Sequence, residues 1–514
     1  MSRINDLFSP GIDLFSVDRY HASVFQRHIR FTKKVITMTT NQSTNEADGK
    51  ALEIFNFQTR ACLDQPAIDL KTRLTLLNTI ETILKDNDQA ICEAIHADFG
   101  NRSFHETRIL EITPCLLGLR YTRKKLKKWI KPQRRHVSMI FPGAGNRVIP
   151  QAKGVVGIIT PWNYPLFLAI SPMTCALAAG NRVMVKQAAQ SQHLCRLLRD
   201  LFSANIDPEY AGFLPGVSGA AFSGLPFNHL VFTGSPQTGK TVMQTAARNL
   251  VPVTLELGGK SPVILADDFD MTTAVKRILF AKFMNAGQTC IAPDYIFVPE
   301  NRIDTFIQTA RTTARQLYPD IASPDYTAII DQQAVDRLMD TLADTREKGG
   351  RVIPLLDGPD TLPEHKKISP VIVTETTPAM RIMQEEIFGP ILPVIPYTDL
   401  NKVIDYINDR PRPLALYVFT RDRRLSDTVI AHTRSGGVAV NDCALQAVQH
   451  DLPFGGTGNS GMGHYHGMEG FMEFSKLRPV FHQAPFSSTA ALTPPYGIFA
   501  DRIFQAIKKF SWIS

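Results

Sequence analysis

From residue 147 onward, short apolar runs rich in β-branched residues alternate with helical stretches, and this alternation restricts the fold more than any other property. Val155–Ile159, Arg182–Val185, His229–Phe232, Val253–Leu257 and Val263–Leu265 are near-continuous apolar runs without strand-like polar alternation. Such runs mark strands buried on both faces, and helices between them supply the cover, so a parallel, doubly wound α/β sheet is expected. A second α/β region follows, with strands expected near Ile291–Val298, Val352–Pro354 and Leu414–Phe419. Before the first strand, Leu70, Leu74, Leu77, Ile80 and Leu84 recur at helical spacing. Gly154 to Asn181 carries no charge and is long enough to span a bilayer, but Pro161, Asn163, Pro165 and Pro172 sit inside it. Broken backbone is unsatisfied in lipid, so the stretch reads as strand, loop and buried helix.

The chain has 514 residues, enough for two or three domains. Its formal charge of +8 comes from one segment. Arg123, Lys124, Lys125, Lys127, Lys128, Lys131, Arg134 and Arg135 occur with no acid among them, and the remaining charges balance. No nucleic-acid motif accompanies this patch, so it reads as a solvated helix end and no nucleic-acid partner is expected. Seven cysteines without C-x-x-C spacing suit reduced thiols and a cytoplasmic location rather than a disulfide framework or structural zinc. His450, His464 and His466 cluster without a carboxylate or cysteine at ligand spacing, so no metal site is expected there. They are read as lining the substrate mouth or a dimer contact.

Several residues carry chemistry. Gly234 to Thr241, Gly-Ser-Pro-Gln-Thr-Gly-Lys-Thr, matches a P-loop and follows a strand. The same turn could present backbone N–H groups to the pyrophosphate of a dinucleotide, and the loop alone does not choose. Cys290 follows Asn285-Ala-Gly-Gln-Thr, small and polar residues that leave a thiol approachable. Glu256 ends an apolar strand beside Gly258 and Gly259, where a carboxylate can act as a general base. Asn163, in Thr160-Pro-Trp-Asn-Tyr-Pro165, offers an amide donor to an oxyanion. Each of the three also has an ordinary structural reading: buried thiol, surface carboxylate, turn asparagine.

TPWNYP at 160–165, FTGS at 232–235, LELGGK at 255–260, NAGQTC at 285–290, EEIFGP at 385–390 and PFGG at 453–456 occur in this order. Together they resemble the aldehyde dehydrogenase superfamily, over about residues 55–482. HADFG at 96–100, APDY at 292–295 and SGMGHYHG at 460–467 point to the coniferyl aldehyde dehydrogenases within it. The resemblance implies NAD(P)-dependent oxidation of an aldehyde, coniferyl-type aromatic or alternatively medium- or long-chain aliphatic. In it Cys290 attacks, Asn163 and the Cys290 N–H hold the oxyanion, and Glu256 activates water to release the acid. It also implies an NAD or NADP site. Thr160, Pro161, Trp162, Leu257, Gly234 and Ser235 would lie along it, Lys186 at the adenosine ribose, Glu386 at the nicotinamide ribose and Phe388 beside it. Asn441 and the PFGG loop would brace the site. Where the superfamily reads Pro-Ser-Glu after its lysine, this chain reads Gln187-Ala188-Ala189. The carboxylate that repels a 2′-phosphate is then missing, so NADP is expected to be tolerated.

The expected organisation is an aldehyde dehydrogenase-like α/β fold. It comprises a mobile extension at 1–50, with Met38 an alternative start, and an N-terminal helical part at 51–137. Oligomerisation strands at 138–150, a dinucleotide-binding domain at 151–257 and a catalytic domain at 258–434 follow. An oligomerisation and bracing segment at 435–482 precedes a tail at 483–514. A homodimer is implied. In the tail, Ile498, Phe499, Ile503, Phe504, Ile507, Phe510 and Trp512 form an apolar face opposite Arg502, Lys508 and Lys509. The helix at 498–513 could dock on protein or lie peripherally on a membrane.

Overall fold

A computed structural model describes residues 45–139, 141, 143–485 and 493–509. Two sheets organise the chain. The parallel strands of the first run edge to edge as Val253–Leu257, His229–Gly234, Val155–Thr160, Arg182–Gln187 and Ala211–Phe213. Gly461–Met462 adds antiparallel at the Val253–Leu257 edge. The chain starts at the central Val155–Thr160, moves outward on one side through Arg182–Gln187, then crosses to His229–Gly234 on the other. That reversal leaves a crevice beyond the carboxyl ends of the two middle strands, the place where doubly wound sheets bind ligands.

The charge-free stretch resolves into the fully buried strand Val155–Thr160, a turn and the helix Phe167–Ala178, apolar on every side and packed between the sheet and the N-terminal helices. Among the described residues no helix is long and apolar enough to cross a membrane. The second sheet has seven strands, ordered Arg351–Pro354, Val371–Thr374, Ile391–Tyr397, Tyr295–Pro299, Pro262–Leu265, Ala415–Phe419 and Gly437–Val440. All pairings are parallel except that of Arg351–Pro354. A separate antiparallel sheet joins Gln133–Arg135, Gly145–Ala152 and Ser475–His482.

Several expectations shift. The first described helix begins at 45, inside the expected extension, and runs unbroken to 64. Ala51 and Phe55 are buried against the first sheet's cover, with Phe55 edge-on to Phe227 at 5.3 Å, and Asp48 accepts hydrogen bonds from the Ser218 N–H and hydroxyl. Residues 1–44, with Met38, lie outside the described residues. None of the described residues between 138 and 144 is in a strand; the sheet expected at 138–150 begins at Gln133 and resumes at Gly145. Gly437–Val440, expected in the oligomerisation segment, is an edge strand of the seven-stranded sheet, because it pairs in parallel with Ala415–Phe419. The strand expected from Ile291 starts at Tyr295, since residues 290–292 are turn and bend and 293–294 are irregular. The tail helix Ile498–Lys509 exposes Phe499, Phe504 and Ile507; residues 510–513 of the expected helix are not described.

Candidate active site

The crevice predicted by the strand order is a cleft of about 360 Å³. Pro161, Trp162 and Asn163 enter from the turn after Val155–Thr160, and Gly234 and Ser235 from the end of the adjacent strand. Glu256, Leu257 and Gly258 come from the third strand, Cys290 from the second domain, and Glu386 and Phe388 from the loop before Ile391–Tyr397. Ten of the twelve proposed site residues therefore line one cavity. Thr160 and Lys186 do not line it. They sit at the carboxyl ends of the two neighbouring strands, Lys186 opposite Ile159 and Thr160 opposite Gln187. Gln187 turns inward and donates to the Pro165 carbonyl at 2.7 Å, tying down the turn that carries Asn163. Ala189 is exposed in the short turn that follows.

Ser235 caps the helix Pro236–Ala247, its hydroxyl accepting from the Thr238 N–H. The amino end of this helix, with the positive end of its dipole, faces the cleft at Ser235, as suits a pyrophosphate. A Cβ on Gly258 would stand 2.0 Å from a Glu386 carboxylate oxygen, so glycine there leaves Glu386 its place in the cleft. The wall opposite is aromatic, Trp162 meeting Phe388 edge-on at 5.5 Å. A helix N-terminus, a carboxylate and flat apolar walls in one crevice fit a nicotinamide dinucleotide. They do not fit the P-loop reading. Pro236 to Gly239 are already helical, so no loop is left to wrap a triphosphate, and Lys240 points from the helix into solvent.

Cys290 also lines a second cavity, of about 200 Å³. Its walls are apolar, including Leu110, Phe167, Met284, Ile291, Ala447 and Phe454. The only other polar lining groups are the hydroxyls of Tyr164 and Thr289, bonded to each other at 2.7 Å. Ile109, Phe280, Leu445 and Val448, also lining it, are substantially exposed and make an apolar entrance. The half-buried thiol thus stands where a cofactor-shaped cleft meets an apolar tunnel.

The loop that presents it is strained. Asn285, Ala286 and Gly287 have φ of 52°, 51° and 78°. Left-handed backbone at the two non-glycine residues costs on the order of 1 kcal/mol or more each. A Cβ on Gly287 would meet the Gly389 carbonyl at 2.3 Å, so this loop and the Glu386 loop pack backbone to backbone. Gln288 locks the turn: its side chain donates to the carbonyls of Asn285 and Ala328 and accepts from the Ile330 N–H, each at 3.0 Å. Its own carbonyl accepts from the Asn163 amide at 3.1 Å, which uses one of that amide's two hydrogens.

Burial pushes the Cys290 thiol up to about 12, with the Glu386 and Glu256 carboxylates adding to the rise. Burial likewise raises Glu386 to about 8, aided by Asp294 and opposed by the Gly259 N–H, Lys260 and Arg337. Glu256 is 2% exposed; burial holds its carboxyl well above the usual range, and the Gly456 N–H is the contact that favours its charged form. The C-terminal segment braces it, Gly461 pairing with Glu256 and the Ser460 carbonyl accepting from the Leu257 N–H at 2.9 Å. Asn441, expected among the braces, lies off both cavities: it caps the end of Ala415–Phe419, accepting from the Thr420 N–H at 2.8 Å. His450 and His466 line a small separate cavity with Cys115 and Cys175 rather than the tunnel mouth. Lys260 was given no role by sequence. It donates to the carbonyls of Ile382 (2.7 Å) and Glu385 (2.9 Å) and to Asp294, whose other oxygen holds the Ile387 N–H at 2.9 Å. The pair clamps the loop carrying Glu386, and its signal lay in LELGGK and APDY, one charge of each sign.

Fold and site together define an α/β enzyme of the dinucleotide-dependent oxidoreductase class. The family model described as "Aldehyde dehydrogenase family" matches residues 25–480. The chain is 48% identical over 449 residues to a "Probable coniferyl aldehyde dehydrogenase" of Pseudomonas aeruginosa, covering 86% of this chain and 93% of that one. It is 42% identical to the "Coniferyl aldehyde dehydrogenase" of a Pseudomonas species, covering 85% and 92%. A solved structure of Staphylococcus aureus AldH in a substrate-bound state superposes with a TM-score of 0.83 at 33% identity, covering 88% and 99%. The chain belongs to the aldehyde dehydrogenase family, and is an NAD(P)-dependent oxidoreductase acting on aldehydes.

Proposed function

We propose that Cys290 performs the oxidation as a covalent nucleophile and that the substrate is a coniferyl-type aromatic aldehyde, converted to its carboxylic acid. The single observation carrying this reading is that the thiol borders both the cleft and the apolar tunnel. An aldehyde entering by the tunnel meets Cys290 as its first nucleophile. The thiol is held protonated in this state, so its proton passes to solvent water in the open cleft as the carbon–sulfur bond forms. The amide hydrogen of Asn163 not spent on Gln288, with the Cys290 N–H, stabilises the resulting oxyanion. Gly234, Ser235, Trp162, Leu257, Glu386 and Phe388, with Lys186 and Thr160, would hold a nicotinamide dinucleotide, which would supply the hydride acceptor. The thioester left on Cys290 is opened by water deprotonated by Glu256.

The aromatic reading is supported by the tunnel's Phe167 and Phe454 and by the names of the relatives above. The exposed apolar entrance favours a second reading, a medium- or long-chain aliphatic aldehyde. An aldehyde panel followed by reduced-cofactor absorbance, with NAD and with NADP, tests both. Cinnamyl-type aldehydes should give the highest kcat/KM, and C290A should give none. A decanal preference transfers the assignment to the aliphatic class, and an active C290A sinks the mechanism. A homodimer is supported by exposed Leu477 and Phe481 on Ser475–His482 and is read by light scattering after gel filtration. A cytoplasmic location accords with seven unpaired cysteines.

A further inference from the structure

The oxyanion donor and the nucleophile loop hang on three charges from the N-terminal helical region, Arg102 and Glu111 buried and Glu106 partly buried, none of which borders either cavity. The Arg102 side chain is fully buried. Its Nη1 donates to the Asn163 carbonyl at 2.8 Å, and its guanidinium lies over the rings of Phe99 and Tyr164 at 5.0 and 5.1 Å. Two carboxylates share it without a close hydrogen bond, Glu106 3.8 Å from Nε and Glu111 3.6 Å from Nη2.

Each carboxylate reaches a different part of the site. Glu111 Oε2 accepts from the N–H groups of Leu166 (2.7 Å) and Phe167 (3.2 Å), where the Asn163 turn enters its helix. Glu106 Oε1 accepts from the Asn285 N–H at 2.8 Å, and its Oε2 accepts from the Thr327 hydroxyl. Asn285 closes the circuit, its amide donating to the carbonyls of Asn163 (3.0 Å) and Gln288 (3.1 Å). The first strained residue of the nucleophile loop is thus pinned by Glu106, and the backbone of the oxyanion donor by Arg102. Strained backbone persists only where its surroundings over-determine it.

We propose that Glu106, acting through Asn285 and Arg102, is a positioning residue that fixes Asn163 relative to Cys290. The proposal rests on the roles given to those two residues above. An ion pair serving stability alone could be replaced by packed apolar side chains at little cost. One that sets the spacing of two catalytic loops cannot, because a displacement of about 1 Å costs on the order of 100-fold in rate.

The test uses E106A and E106Q in the full-length protein, each alone and combined with N163A. Glutamine keeps an acceptor for the Asn285 N–H and removes the charge; alanine removes both. Readouts are aldehyde kcat/KM, cofactor Kd, thermal midpoint and the rate at which iodoacetamide alkylates Cys290 without aldehyde. E106A is expected to lower kcat/KM by about 30- to 100-fold. E106Q should lose less than about tenfold, and cofactor Kd should hold in both. In the N163A background the further loss from E106A should shrink below about threefold, since coupled residues are non-additive. The alkylation rate should change in E106A and return toward wild type in E106Q. Equal losses in both backgrounds, or a loss tracking cofactor affinity and thermal midpoint together, overturn the positioning role. If E106A does not fold, E106Q decides by the same comparison: a loss that shrinks with N163A supports it, and an equal one overturns it. N163A or C290A with wild-type activity instead sinks the underlying assignment, so the two failures are separable.

Discussion

Replacing Glu256 by glutamine separates the two halves of the proposed reaction. The substitution is nearly isosteric at an enclosed site where neither carboxyl oxygen has a hydrogen-bond partner of good geometry. Thiol addition and hydride removal do not use Glu256; opening the thioester does. General-base catalysis is worth about 10²- to 10⁴-fold, or roughly 3–5 kcal/mol of barrier. Steady-state kcat should fall by that factor while a rapid burst of one reduced cofactor per subunit survives in stopped-flow absorbance. Because burial holds the wild-type carboxyl protonated well above its ordinary range, wild-type turnover should climb with pH until that group ionises. Stability should run the other way. Between the ordinary pKa and the raised one, the folded state keeps a proton that the unfolded state has lost, so folding weakens as pH rises, by about 1.4 kcal/mol per unit. E256Q removes that slope, and its thermal midpoint should gain on wild type as pH rises above the ordinary carboxyl range. An unchanged kcat, or a burst lost together with turnover, refutes the base assignment. A midpoint that falls more steeply with pH in E256Q refutes the buried-carboxyl account.

Three further outcomes follow from the cleft and tail. G258A places a Cβ where the Glu386 carboxylate stands, so cofactor KM should rise at least about tenfold with a smaller change in aldehyde KM; equal cofactor KM contradicts the Glu386 assignment. Ala189 leaves no carboxylate where the superfamily's Pro-Ser-Glu ends, so NADP should be used within about tenfold of NAD, and A189E should cut NADP efficiency selectively, as kcat/KM for the two cofactors will show. A 1–490 truncation lacks the exposed apolar face of Ile498–Lys509; if that helix binds lipid, the truncation should lose co-sedimentation with anionic liposomes, and equal pelleting removes the membrane reading.

The first sheet was legible because its strands are buried on both faces, which writes unbroken apolar runs into the sequence. The strands passed over have physical excuses. Ala211–Phe213 is a short edge strand, and Ile391–Tyr397 contains Pro393 and Pro396, which ordinarily argue against a strand. Cys290, Glu256 and Asn163 were each ambiguous alone, and only six ordered motifs marked them as candidates, which the structure brings to one cleft. The left-handed turn at Asn285 and Ala286 was not readable, since alanine is a poor occupant of that conformation; the turn is held at Asn285, by Glu106 from outside the loop and by Gln288 within it. Arg102, Glu106 and Glu111 look in sequence like ordinary helix charges; their burial depends on where that segment packs.

The central claim is that aldehyde oxidation passes through a covalent bond to the cysteine between cleft and tunnel. Mass spectrometry of E256Q, quenched after mixing with NAD(P) and an aromatic aldehyde, tests it directly. The account predicts an acyl adduct on the peptide carrying Cys290, dependent on both cofactor and aldehyde and abolished by C290A. An adduct on another cysteine, or turnover with no acyl-enzyme at any quench time, contradicts it.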